Sequence, residues 1–260
     1  MRVSALSSKS WPKHSVEDAS LFEREHHRRI ASVLEALDAN ALATHRCYFG
    51  GGTAIALKYG EYRESVDIGF MVSDKDGYRA LRLLATGPPG IQALARPGAV
   101  LAHSREVRAD QYGIRTAVTA FDVAIKLAIV LEARITFDTP GPDDVLCGIT
   151  ALSPLDMVAG KLLANSDRWA DGAVFQRDVI DLAMMAPSKK LLADAMAKAT
   201  GAYGDSIARD LGNVLLYLKD NPLRLDQCMQ AMGMRKTPKA LLWQRIRKLG
   251  ELAGLPIART

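Results

Sequence analysis

Phe49-Gly50-Gly51-Gly52-Thr53-Ala54-Ile55-Ala56-Leu57 and Arg63-Glu64-Ser65-Val66-Asp67-Ile68-Gly69-Phe70 are the two stretches that decide the fold. Cys47, Tyr48 and Phe49 predict a short strand that runs into three glycines, and Thr53 to Lys58 predicts a helix. Glycines between a strand and a helix let backbone N–H groups approach a phosphate closely, and the helix N-terminus adds partial positive charge. A tight strand-to-helix turn with no ligand is the plainer reading of the glycines alone. The next strand, Val66 to Val72, changes that balance. Side chains alternate faces along a strand. Val66, Ile68, Phe70 and Val72 are expected to point into a core, and Asp67, Gly69 and Met71 to point away. An aspartate about fifteen residues after a glycine turn is placed to hold a magnesium ion against bound phosphates.

Outward from this segment, the chain to about residue 150 mixes helices and strands. Tyr78 to Leu84 predicts a helix, and strands are expected near 99–108, 112–119, 121–131 and 145–149. Beyond 150 the pattern is helical. Ser153-Pro154-Leu155-Asp156 combines a capping serine, a first-turn proline and an acidic residue. Further helices are expected near 174–185, 189–199, 204–219, 223–231 and 238–252. Residues 1–14 read as a loose tail. Ser15, with Glu17 and Asp18, reads as the start of a helix continued by Phe22, Ile30, Val33, Leu34 and Leu37. The expected organisation is a tail (1–14), a mixed-sheet domain (15–150) and a helical domain (151–260). The fold class is α+β.

With 48% hydrophobic and 24% charged residues, the 260-residue chain has the balance of a globular protein. Its most apolar run, Phe121 to Leu131, is broken by Asp122 and Lys126, so no membrane span is expected. Met1 to His14 has no apolar export core, and a cytoplasmic location follows as an expectation. Cys47, Cys147 and Cys228 are widely spaced and odd in number, which argues for small core residues rather than a disulfide or zinc framework. A net charge of +5 permits an anionic partner without requiring one. His26 and His27 lie in a charged run that reads as a solvated face rather than a metal site.

The quoted residues resemble the nucleotidyltransferase superfamily, and specifically the AbiEii/AbiGii toxin family. Members read G-G-T-A-L-A-L followed by R-x-S-x-D-I-D-F, against Gly51-Gly52-Thr53-Ala54-Ile55-Ala56-Leu57 and Arg63 to Phe70 here. A looser likeness extends to Lys161 and to Arg177-Asp178-Val179-Ile180-Asp181-Leu182, so that roughly residues 45–185 are covered. The resemblance implies a nucleotidyltransferase-like mixed sheet with flanking helices, then a helical domain, with NTP and Mg2+ in the cleft between them. It implies a toxin of a bacterial toxin–antitoxin system that transfers a nucleotide to RNA (such as tRNA) or protein, with a cognate antitoxin as partner.

Two departures bear on activity. The family's paired aspartates fall at Asp67 and Gly69. A third acid, in a K-x-E segment resembling Lys126-Leu127-Ala128, falls at Ala128. Nucleotidyl transfer uses magnesium ions held by shared carboxylates, and glycine and alanine hold none. Asp67 is left as the expected metal ligand, and weakened or lost transfer is expected. The resemblance gives Lys161 a phosphate contact, against the plainer reading of a solvated helix lysine. Asp178 gains a role near the active site, against an Arg177-linked surface network. Arg63 and Ser65 either touch phosphate or brace the turn. The expected catalytic set is thus Asp67, Lys161 and Asp178, and the nucleotide set Gly51, Gly52, Thr53, Arg63, Ser65 and Lys161. Rival readings are a non-catalytic relative that binds nucleotide or a partner, and an RNA-binding module. The latter would use the basic C-terminal cluster of Arg235, Lys236, Lys239, Arg245, Arg247 and Lys248, which also reads as a solvated helix.

Overall fold

The five-stranded sheet is built from β1 (Tyr48–Gly50), β2 (Ile68–Val72), β3 (His103–Ala109), β4 (Gly113–Ala120) and β5 (Val123–Leu131), in the order β1-β2-β5-β4-β3. A computed structural model describes residues 22–255. The expected tail and the helix start at Ser15, Glu17 and Asp18 lie outside those residues. Strands β2 and β5 are parallel, and the other pairs are antiparallel. The mixed α+β fold expected from the sequence is therefore present.

One face of the sheet is apolar because its strands alternate. Ile68, Phe70 and Val72 of β2, Ile125, Leu127 and Ile129 of β5, and Ile114 and Val118 of β4 are all buried. Helices α1 (Glu25–Ala36) and α4 (Lys75–Thr86) pack on this sheet, and α2 (Ala39–Thr44) leads into β1. Each large side chain withdrawn from water here contributes roughly 1.5–3 kcal/mol. Phe49 and Phe70 face each other across β1 and β2 with ring centroids 5.6 Å apart.

Several boundaries differ from expectation, for local reasons. Val66 is half-exposed and lies before β2, so it leaves the buried row. Phe121 and Asp122 are not strand residues. Both take positive φ as the two-residue turn between Ala120 and Val123, and Phe121 is exposed. The strand expected at 145–149 is a hairpin of β6 (Val145–Leu146) and β7 (Ile149–Thr150), turned at Cys147-Gly148.

After Thr150 the chain is helical: α5 (Pro154–Arg168), α6 (Arg177–Met185), α7 (Lys189–Tyr203), α8 (Ser206–Asp220), α9 (Pro222–Ala231) and α10 (Lys239–Leu252). Ser153 caps α5 by accepting from the Asp156 N–H, as its sequence signature implies. Such a cap is worth about 1 kcal/mol. Buried residues of the sheet and of these helices form one continuous core. Among the described residues no helix is long and apolar enough to cross a membrane. Cys47, Cys147 and Cys228 are buried and form no disulfide with one another, and burial pushes the Cys228 thiol up to about 11.

Candidate active site

Strand β1 ends at Gly50, and helix α3 (Gly51–Lys58) begins directly after it with no side-chain cap. Its first N–H groups are thus not taken by a capping side chain. Gly51 has φ +71°, which disfavours any larger residue. Gly52 is constrained for a different reason. A Cβ there would lie 2.4 Å from Nη2 of Arg63, whose guanidinium passes across the turn.

Gly50 pairs with Gly69 of β2, and Gly69 pairs with Ala128 of β5. Directly paired residues present their side chains on the same face. Gly69 and Ala128 therefore share a face, the one opposite Ile68, Phe70 and Leu127. Asp67 immediately precedes β2 and is exposed. The three positions expected to carry acids converge at the end of the β2–β5 ladder, beside the glycine turn.

The segment carrying Asp67 is braced from two sides. The Thr53 hydroxyl bonds the Ser65 hydroxyl at 2.7 Å and the Asp67 carbonyl. His27 on α1 is fully buried. Its Nε2 accepts from the Ser65 N–H at 3.1 Å, which leaves Nδ1 to donate to Glu61 at 2.8 Å. Burial holds the His27 imidazole below its ordinary pKa despite Glu61. His26 reaches the Val66 carbonyl at 3.0 Å. The expected solvated histidine pair is thus a pair of loop braces. Thr53 and Ser65 also spend their hydroxyls on the loop.

Arg63, Lys161 and Asp178 meet in a buried ion network rather than at an open surface. Arg63 holds Asp181 with two bonds, of 2.7 and 3.0 Å. Lys161 reaches Asp178 at 2.8 Å and Asp181 at 2.6 Å, and Arg168 reaches Asp178 at 2.7 Å. The Tyr62 hydroxyl donates to Asp181. Burial alone would raise both carboxyls, but Lys161 with Arg168 at Asp178, and Lys161 with Arg63 at Asp181, hold them below the usual range. Three cations surround two carboxylates, so the network carries one surplus positive charge. Two plainer expectations are corrected here. Lys161 is buried rather than solvated, and Asp178 is tied to Arg168 and Lys161 rather than to Arg177. Asp178 and Asp181 share a helix face, as their spacing requires.

The donor set does not fit a pair of divalent ions. Among the described residues no three His, Cys, Asp or Glu side chains cluster to hold a metal. Glu132, the buried acid beyond β5, is bound to Arg134 at 2.6 Å. A charged cleft of about 520 Å³ between Arg24, Glu61, Glu64 and Arg235 lies elsewhere. So does an apolar one of about 330 Å³ between α6 and α10. Neither is lined by Gly51, Asp67 or Gly69.

His27, Tyr62 and Asp181 are the residues that sequence reading did not place in the site. His27 had a visible signal. It stands at helical spacing from Ile30, Ala31 and Leu34, on the apolar face of α1.

A strand-turn-helix of this form, facing a mixed sheet and followed by helices, defines the nucleotidyltransferase fold class. A family profile, the nucleotidyl transferase AbiEii toxin of type IV toxin–antitoxin systems, matches residues 32–251, and the chain belongs to that family. Two solved structures from Helicobacter pylori share the fold. One, assigned as a nucleotidyltransferase, is 18% identical with a TM-score of 0.51, covering 93% of this chain and 95% of its own. The other, JHP933, is 18% identical with a TM-score of 0.50, covering 88% and 89%. No curated protein matches the sequence.

Proposed function

We propose that this chain binds a nucleoside triphosphate against the N-terminus of α3, and that its transfer of nucleotide to an RNA or protein acceptor is weakened or lost. The observation that carries the reading is the Gly69–Ala128 pair beside the Gly50–Thr53 turn. The turn retains the shape that admits phosphate, while the ladder beside it has lost two of its three carboxylate positions. Asp67 is the one acid that remains of the three positions. The surplus positive charge of the Arg63–Lys161–Arg168 network favours the phosphates electrostatically from behind the turn. Family membership supports a cognate antitoxin as the protein partner.

Thermal unfolding with each of the four ribonucleoside triphosphates tests the binding. A ligand at about 100 times its Kd adds about 2.7 kcal/mol, a rise of roughly 5 °C or more for a chain of this size. Such a rise with a triphosphate and none with the matching nucleoside is expected. No shift with any of the four would refute the reading. The RNA-module alternative gains little from the C-terminal cluster, whose charges are largely used within the chain. Lys236 pairs with Glu23, Lys239 with Asp226 and Lys248 with Glu251, and Arg245 donates to the Met184 carbonyl.

A further inference from the structure

The sheet face that holds Gly69 and Ala128 becomes cationic as it extends away from the turn. Arg115 on β4 is the direct partner of Ala128, and Arg108 on β3 is the direct partner of Arg115. Ala117 joins Lys126 of β5 to Arg105 of β3 in the same way. Since paired positions share a face, Lys126, Arg115, Arg108 and Arg105 stand on the side of Gly69 and Ala128. All four are exposed. Arg115 leans on Asp110 at 3.0 Å. The side chains of Lys126, Arg105 and Arg108 have no acidic partner among the described residues. Glu106 lies on the irregular stretch of β3 between Arg105 and Arg108.

Two physical consequences follow. Ile68 pairs with Leu127, so Asp67 and Lys126 precede the same rung of the ladder. With Gly69 and Ala128 supplying no carboxylate to balance it, the Lys126 ammonium beside Asp67 opposes a divalent ion there, because like charges repel. The same ammonium attracts phosphate oxygens directly. Strands are about 4.8 Å apart, so Gly69 and Arg115 are separated by roughly 10 Å across Ala128. A triphosphate seated at the α3 turn spans that distance.

We infer that Lys126 and Arg115 make this face a phosphate site that needs no divalent ion, their charges standing where metal ions would otherwise neutralise the polyphosphate. This rests on the nucleotide site proposed above and assigns it a ligand chemistry: a polyphosphate chain bound directly by cationic side chains. A single RNA strand is the competing occupant of such a face, and the span from turn to Arg115 favours the shorter ligand.

Calorimetric titration of the full chain with inorganic triphosphate, and with a mixture of the four ribonucleoside triphosphates, tests the inference in EDTA and in magnesium. Binding in EDTA at least as tight as in magnesium is expected. Lys126→Ala should weaken it about tenfold or more in EDTA, and Lys126→Arg should largely retain it. Binding that requires magnesium, or that ignores both Lys126→Ala and Arg115→Ala, overturns the inference while leaving the nucleotide site. Absence of binding in either buffer overturns both. Lys126-dependent capture of a single-stranded RNA oligonucleotide without triphosphate binding reassigns the face and overturns the inference.

Discussion

Gly69 and Ala128 are direct partners in the parallel ladder between β2 and β5, and their side-chain positions open onto the face that meets the Gly50–Gly51 turn. A Cβ built on Gly69 meets only the Gly50 carbonyl oxygen, at 3.5 Å, an ordinary contact, and Gly69 does not adopt a positive φ. Backbone geometry therefore does not require a glycine here. A side chain fits at this position, and glycine brings no carboxylate to it.

The glycines of the site should accordingly respond differently to substitution. Gly69→Ala should leave stability within about 1 kcal/mol of the unmodified chain. Gly52→Ala drives a methyl into Arg63, and overpacking of this kind costs about 1–3 kcal/mol. Urea unfolding of the two variants checks the order.

Asp181 accepts bonds from Arg63, Lys161 and Tyr62 with no solvent exposure. Removing one partner of a buried pair leaves uncompensated charge and costs about 3–5 kcal/mol. Asp181→Ala should lower stability by that amount. Asp194→Ala, which breaks an exposed i,i+4 pair with Lys190, should cost less than about 0.5 kcal/mol.

The pH dependence of unfolding follows from three depressed pKa values, one of a histidine and two of aspartates. His27 is held below its ordinary 6.5, so the unfolded chain binds the extra proton first. Its contribution is complete above pH 6.5 and declines as pH falls below it, with a limiting slope of about 1.4 kcal/mol per pH unit. Asp178 and Asp181 are held below 3.8, so their contribution is present above that pH and is lost on further acidification. Denaturant titrations between pH 8 and 3 should show both declines. His27→Gln should remove the first and keep the second.

Much of this architecture was legible in the sequence. Strand alternation and the glycine run located β1, α3 and β2, and Ser153-Pro154 located the start of α5. The resemblance reached residues 45–185, whereas the family match runs from 32 to 251, because the later helices carry apolar periodicity but no motif. The pairing of residue 69 with 128 depends on a parallel register between distant strands, which no local pattern encodes. Sequence spacing placed Asp178 and Asp181 on one face. It was silent on Arg63 and Lys161 arriving from other elements to neutralise them. The resemblance implies a phosphate contact for Lys161, and the structure shows its ammonium bound to Asp178 and Asp181. The charged neighbours of His27 in the sequence mask the apolar helical face on which it sits.

The most direct test of a depleted metal centre is transfer of labelled nucleotide, measured in parallel for the unmodified chain and for Gly69→Asp with Ala128→Glu, across magnesium concentrations and RNA and protein acceptors. The account predicts weak or undetectable transfer by the unmodified chain and magnesium-dependent gain in the double variant. Efficient magnesium-dependent transfer by the unmodified chain, or a correctly folded double variant with no gain on any acceptor, would contradict it.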